Sequence, residues 1–258
     1  MSRLLALLLA LLALLLPGAA MAQGRDPILV PEISQHEVQV RQGFTGTQLL
    51  LYGAILDPDG RRASDDYDIV VILRGPGQPI RIREKQRFLG IWINAEATSF
   101  RSVPSFFALA SSAPIAQIVD QRTAAIYEFG LQYLQLSPTG AIDPPQYVRF
   151  TQGLVDMRRS SGLFQQNEAG VTMNEGVLYQ ARISLPSNVV VGRYVAETFA
   201  VRDGRVIAAA STTVDVRKEG LDRVVTEQAD ENSFLYGLLA VGLSLLMGWG
   251  AGRLYALV

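Results

Sequence analysis

The sequence predicts a mainly β fold: a β-sandwich with a helical insertion near 113–165, followed by one C-terminal transmembrane helix. Three observations carry this reading. Short apolar runs separated by Gly and Pro turns fill 36–112 and resume near 171, the pattern of strands in a sandwich or barrel. Between Pro114 and Gly162 the apolar spacing changes to three and four residues, the period of a helix. Two uncharged apolar runs close the chain at its ends, residues 4–16 and 234–252.

The first run follows Met1-Ser2-Arg3 and ends at Pro17-Gly18 and the small-x-small triplet Ala20-Met21-Ala22. It is too short for about 30 Å of hydrocarbon, and its flanks are those of a secretory signal peptide. Residues 1–22 are therefore read as an export signal, and 23–220 as the exported part, a sandwich domain with a helical insertion or two small domains.

The strands follow in order. Gln48 to Ala54 is closed by Asp57-Pro58-Asp59-Gly60, and Asp68 to Leu73 by Gly75-Pro76-Gly77. Ile80 to Phe88, Leu89 to Ala95 and Ser105 to Ser111 come next. The parity of apolar positions changes near Phe88-Leu89-Gly90, which predicts a turn or bulge there.

Ile115, Ile118, Val119, Arg122, Ile126, Phe129 and Tyr133 form one helical stripe, with Ser112 placed to cap it and Pro114 near its first turn. A second helix follows Asp143-Pro144-Pro145, with Tyr147, Phe150, Leu154 and Met157 on its apolar face and Gly162 placed to end it. Both are amphipathic, so each is expected to cover a surface.

Alternation then returns. Val177, Tyr179, Ala181, Ile183 and Leu185 share one face. Val206, Ala208, Ala210, Thr212, Val214 and Val216 share another. Asp203-Gly204 between Arg202 and Arg205 reads as a hairpin turn, because both residues accept positive φ. The closing strands 185–216 have the character of an immunoglobulin-like sandwich, with Tyr194 as a candidate corner tyrosine.

The second uncharged run, 234–252, has the length of a membrane helix, approached by a polar juxtamembrane stretch 221–233 and followed by a short tail 253–258. With the export signal it predicts a single-pass protein of the cytoplasmic membrane, its bulk in the periplasm and a lipid bilayer as partner of the helix. Gly248 and Gly252 are a small-xxx-small pair, a candidate helix–helix contact.

Composition excludes several chemistries. The net charge is −1 and there is no cysteine, so nucleic-acid binding, thiol catalysis and Cys-ligated metals are not expected. The one histidine, His36, lies in a short alternating stretch and reads as an exposed strand residue. Asp57, Asp59, Asp65, Asp66 and Asp68 cluster without calcium-loop spacing. No P-loop, Gly-x-Ser-x-Gly or dinucleotide motif occurs. No catalytic residue, metal or cofactor is expected, and the chain is read as a non-enzyme.

One constellation has chemical content. Arg81, Arg83, Lys85 and Arg87 are spaced by two, which on a strand puts four cations on one face within about 20 Å. They form a candidate face for an anion, lipid headgroups or an acidic protein surface. The same ladder also fits a plain solvent-facing edge strand. Downstream, Trp92 and Asn94 share one face and Ile91 and Ile93 the other, and Trp92 reads as a core residue ahead of a ligand platform.

At Gly90-Ile91-Trp92-Ile93-Asn94, at VPSFFALASSAPI (103–115) and at LYGLLAVGL (235–243), the chain resembles the alphaproteobacterial putative transmembrane protein family. The resemblance covers nearly the whole chain. It implies a signal peptide, an exported middle and one C-terminal span, makes Trp92 and Asn94 candidate contact residues of a family motif, and carries over no assigned activity. It also suggests an inner-membrane partner, a permease of the sulfite-exporter type. The expected function is a periplasmic accessory or interaction module. A small-anion sensor using the basic strand is the second reading, and a carboxylate hydrolase the third.

Overall fold

Twelve strands, not helices, make up most of the described chain. The computed structural model describes residues 27–41, 43–56, 67–218 and 233–255. The expected signal peptide, the 57–60 turn, most of the juxtamembrane stretch and four of the clustered acids (Asp57, Asp59, Asp65, Asp66) lie outside the described residues.

The strands are β1 (Ile28–Ile33), β2 (Glu37–Val40), β3 (Gly46–Leu56), β4 (Asp68–Arg74), β5 (Gly77–Phe88), β6 (Ile91–Pro104), β7 (Phe107–Ser111), β8 (Phe164–Asn167), β9 (Val171–Asn174), β10 (Leu178–Pro186), β11 (Gly192–Arg202) and β12 (Arg205–Lys218). They form a four-stranded sheet, β1-β3-β10-β9, and a six-stranded sheet, β2-β12-β11-β4-β7-β8. Strands β5 and β6 form a separate two-stranded ribbon. The outer pairs β2–β12 and β7–β8 of the larger sheet are parallel.

The two sheets close on one core. Leu49, Leu51, Tyr179, Ile183 and Leu185 come from the smaller sheet, and Ile69, Ile72, Phe107, Ala196 and Val214 from the larger. Alternation on β10 is as the sequence predicts: Tyr179, Ala181, Ile183 and Leu185 are buried while Arg182 and Ser184 are exposed. β4 instead buries every residue from Ile69 to Leu73, because neighbouring elements cover both faces of this inner strand.

A hydrogen bond ties the sheets together: the Tyr179 hydroxyl on β10 donates to Thr198 Oγ1 on β11 at 3.3 Å. The Tyr194 hydroxyl donates back to the Val190 carbonyl at 2.7 Å, the corner arrangement that the sequence suggested. Burial pushes the pKa of both tyrosines up.

The first predicted helix is broken. It forms α1 (Ile115–Ile118), α2 (Gln121–Tyr127) and a 3₁₀ turn at Leu131–Tyr133. Asp120 interrupts it, accepting the Thr123 N–H at 2.8 Å as N-cap of α2, a local preference stronger than helix continuity here. Ser112 does not cap α1. Its hydroxyl bonds Asp68 Oδ1 at 2.8 Å and accepts the Ile69 N–H at 3.1 Å. The second helix, α3 (Pro144–Ser160), forms as predicted and buries Phe150 and Leu154, but Met157 of the expected apolar face is exposed. Gly162 follows it at φ 72°.

The last helix, α4 (Ser233–Tyr255), coincides with the expected span, but among the described residues no helix is long and apolar enough to cross a membrane. The expectation of a transmembrane helix, and of a single-pass chain held by it, is corrected. Arg253 places a charge in the last turn of this helix. A Cβ built at Gly248 or Gly252 would meet no atom within 4 Å, so no other described element packs on this pair.

Candidate functional site

The β5–β6 ribbon is the one place where the predicted site residues meet. Its base is part of the body. Phe100 and Val103 are fully buried, and Ile80 and Ile82 pack against the core from one face. The free edge of β6 is paired by an incoming segment: the Arg101 and Thr139 N–H groups bond the Ser137 and Ser99 carbonyls at 3.0 and 2.7 Å.

From Lys85 to Ala95 every residue is exposed. Adjacent residues point to opposite faces of a strand, so both faces of this stretch are uncovered. The ribbon's outer part is therefore an arm that stands free of the two sheets.

Arg81, Arg83, Lys85 and Arg87 are all exposed on one face, as the spacing predicts. None of their side chains has a hydrogen bond or ion pair among the described residues. Their cross-strand partners are Ser99, Ala97, Asn94 and Trp92, so Trp92 and Asn94 join the cation face, and Trp92 is exposed there, not buried in the core as its apolar ring predicts. This follows from a bulge the sequence did not place. Glu84 pairs with Glu96, but Lys85 pairs with Asn94, leaving Ala95 unmatched. Without that extra residue Trp92 and Asn94 would fall on the opposite face. At Leu89-Gly90 there is a tight two-residue turn, as expected.

The opposite face is organised by α3. Glu84 and Glu96 lie directly across from each other, a placement that costs energy for like charges. Arg149 of α3 resolves it: Nε donates to Glu84 Oε2 at 3.1 Å and Nη2 to Glu96 Oε2 at 2.7 Å. Gln146 Nε2 adds a second donor to Glu96 at 2.9 Å. The acids are thus turned away from the cation ladder and do not neutralise it. Sequence reasoning missed Arg149, since no spacing relates residue 149 to residues 84 and 96.

Arg149→Ala is expected to destabilise the fold by about 1 kcal/mol, because a half-exposed ion pair is lost and two carboxylates are left facing each other. Urea unfolding would measure it. The loss should shrink at high salt and be largely recovered in Arg149→Ala with Glu96→Gln. A salt-independent loss would mean that packing, not charge, is what Arg149 supplies.

Elsewhere, an open groove of about 1260 Å³ runs between the 131–138 segment and α3, lined by Leu134, Leu136, Tyr147, Val155, Asp156 and Arg159 among others. His36 is exposed and pairs with Glu32 at 3.0 Å. Among the described residues no group of three or more His, Asp or Glu could hold a metal ion.

A family described as "Putative transmembrane protein (Alph_Pro_TM)" matches residues 28–256. No curated protein matches the chain.

Proposed function

Since the chain belongs to the Alph_Pro_TM family of putative transmembrane proteins, we propose that it is a non-enzymatic accessory module working at a membrane, on the periplasmic side of the cytoplasmic membrane. One observation carries the reading. The arm leaves Phe88, Leu89, Ile91, Trp92 and Ile93 exposed together, and a contiguous apolar patch of this kind marks a contact surface. The partner of the module as a whole is an integral membrane protein, a permease of the sulfite-exporter type being the candidate. Confinement at the bilayer raises the effective concentration of the module for such a partner.

The geometry favours this reading over a small-anion sensor. Successive cations of the ladder lie about 7 Å apart along an extended strand. They do not converge on a point, as ligands of one small oxyanion would.

The test is crosslinking in native membranes followed by mass spectrometry, with photoreactive residues at Phe88 on the arm and at Arg182 on the outer face of β10. Recovery of one integral membrane protein is expected. If neither position yields a membrane protein, the reading fails.

A further inference from the structure

We propose that the β5–β6 arm docks on an anionic phospholipid surface, its apolar tip entering the interface and its cations meeting the phosphates behind it. The proposal rests on the membrane reading above and says what the arm itself touches. Phe88 is 61 % exposed, Leu89 87 %, Ile91 66 %, Trp92 67 % and Ile93 43 %.

These side chains occupy both faces of the ribbon. Arg87 and Trp92 pair on the cation face, while Phe88 and Ile91 pair on the other. A groove in a protein covers one face of a strand pair. Phe88, Ile91 and Ile93 lie on one face and Trp92 beside Arg87 on the other, so apolar surface is presented on both sides of the tip, and a bilayer interface surrounds both.

The order along the arm matches the layers of a membrane. With Trp92 level with Arg87 and Ile93 level with Gln86, Phe88, Leu89 and Ile91 come first, at the turn. Arg87 and Lys85 follow about 7 and 14 Å behind it. An interfacial segment buries its apolar side about 5–10 Å deep, which leaves these two cations at the level of the phosphates. Arg83 and Arg81 continue the same face and extend the attraction outward. The nearest acids, Glu84 and Glu96, are held on the other face by Arg149, so the positive field toward the membrane is not cancelled.

The turn supplies a second, independent observation. Leu89 and Gly90 have φ of 48° and 84°, a two-residue turn whose first position favours Asn, Asp or Gly. The β11–β12 turn of this protein has the same shape and uses Asp203 and Gly204, at φ 52° and 74°. At the arm tip a leucine takes the strained position instead, with its side chain almost wholly exposed. Neither folding nor solubility asks for that choice; insertion into an apolar medium does.

The test uses the full chain carrying Trp249→Phe, so that Trp92 is its sole tryptophan. Fluorescence is followed against mixed phosphatidylglycerol–phosphatidylcholine vesicles and against phosphatidylcholine vesicles, with brominated acyl chains as quencher. Because the readout sits at Trp92, attachment through another part of the chain does not register. Blue-shifted, bromine-quenched emission is expected on the anionic vesicles only.

Lys85→Gln with Arg87→Gln should weaken the association about 25-fold, about fivefold for each cation. Leu89→Asn suits the turn better, so the arm still forms, yet it should weaken the association about tenfold. Absence of quenching on anionic vesicles, equal quenching on neutral ones, or no effect of the cation substitutions would overturn the proposal. A membrane protein recovered by crosslinking without Trp92 quenching leaves the accessory reading standing and removes this one. Quenching without any recovered partner does the reverse.

Discussion

Replacing Phe100 with Ala is expected to lower the unfolding free energy by about 4 kcal/mol, whereas Phe88→Ala should change it by less than about 0.5 kcal/mol. The two phenylalanines lie on the two strands of one ribbon, and they differ in what surrounds them. Phe100 is fully buried, with its ring edge-on to Tyr147 of α3 at 6.4 Å between centroids. Its removal leaves a cavity at the point where the arm enters the body. Tyr147 is itself fixed there, its hydroxyl donating to the Leu136 carbonyl at 2.9 Å, so the surroundings have little freedom to collapse. Phe88 is exposed at the tip and leaves no cavity. Urea unfolding of the two variants, followed by circular dichroism, measures the contrast. A loss below about 1 kcal/mol for Phe100→Ala would show that the base is not the fixed end of the arm. The functional consequence follows from the same packing. With the base loosened, the arm loses its direction relative to the sheets, and Trp92 should report weaker vesicle association even though no tip residue has changed.

Gly53→Ala is expected to cost about 3 kcal/mol, as over-packing in a closed core does. Gly53 lies mid-strand in β3, opposite Tyr179 of β10. A Cβ there would sit 2.3 Å from the Val30 carbonyl oxygen, 2.5 Å from the Tyr179 hydroxyl oxygen and 2.7 Å from its Cζ. All three distances are shorter than contacts allow, and the closest atom is backbone that cannot rotate away. The tyrosine ring lies across the bare glycine, the device by which an aromatic side chain covers a strand glycine from the neighbouring strand. Covering it also aims the hydroxyl at Thr198 on the facing sheet. Thermal unfolding of Gly53→Ala and of Gly53→Ala with Tyr179→Phe separates the two clashes. The double variant should not recover the loss, since the Val30 oxygen remains. Full recovery would place the whole effect on the hydroxyl.

Much of the body was legible in the chain. The alternation from Tyr179 to Leu185 and the Asp203-Gly204 turn each depend on neighbours in sequence, and each is where the pattern puts it; the α3 stripe holds at Phe150 and Leu154 but not at the exposed Met157. Local chemistry also explains two departures. Asp120 caps a new helix in the middle of a continuous stripe, and Ser112 finds Asp68 instead of a helix end. The terminal helix is the case where pattern misled. Apolar residues run through 234–252, but among the described residues no helix is long and apolar enough to cross a membrane.

The ribbon divides the two kinds of information most clearly. By itself the sequence determined that Arg81, Arg83, Lys85 and Arg87 share a face, because strand periodicity is local and a spacing of two cannot be read otherwise. It also placed the turn at Leu89-Gly90. Only the tertiary structure decided what those residues can meet. Ile80 and Ile82 alternate with polar residues just as Ile91 and Ile93 do, yet the first pair packs against the core and the second pair is exposed. The unmatched Ala95 carries Trp92 and Asn94 to the cation face, and Arg149, more than fifty residues downstream of Glu96, holds the acids on the other. Coverage and register depend on contacts between distant segments, and no periodicity within one strand encodes which of its faces another element will cover.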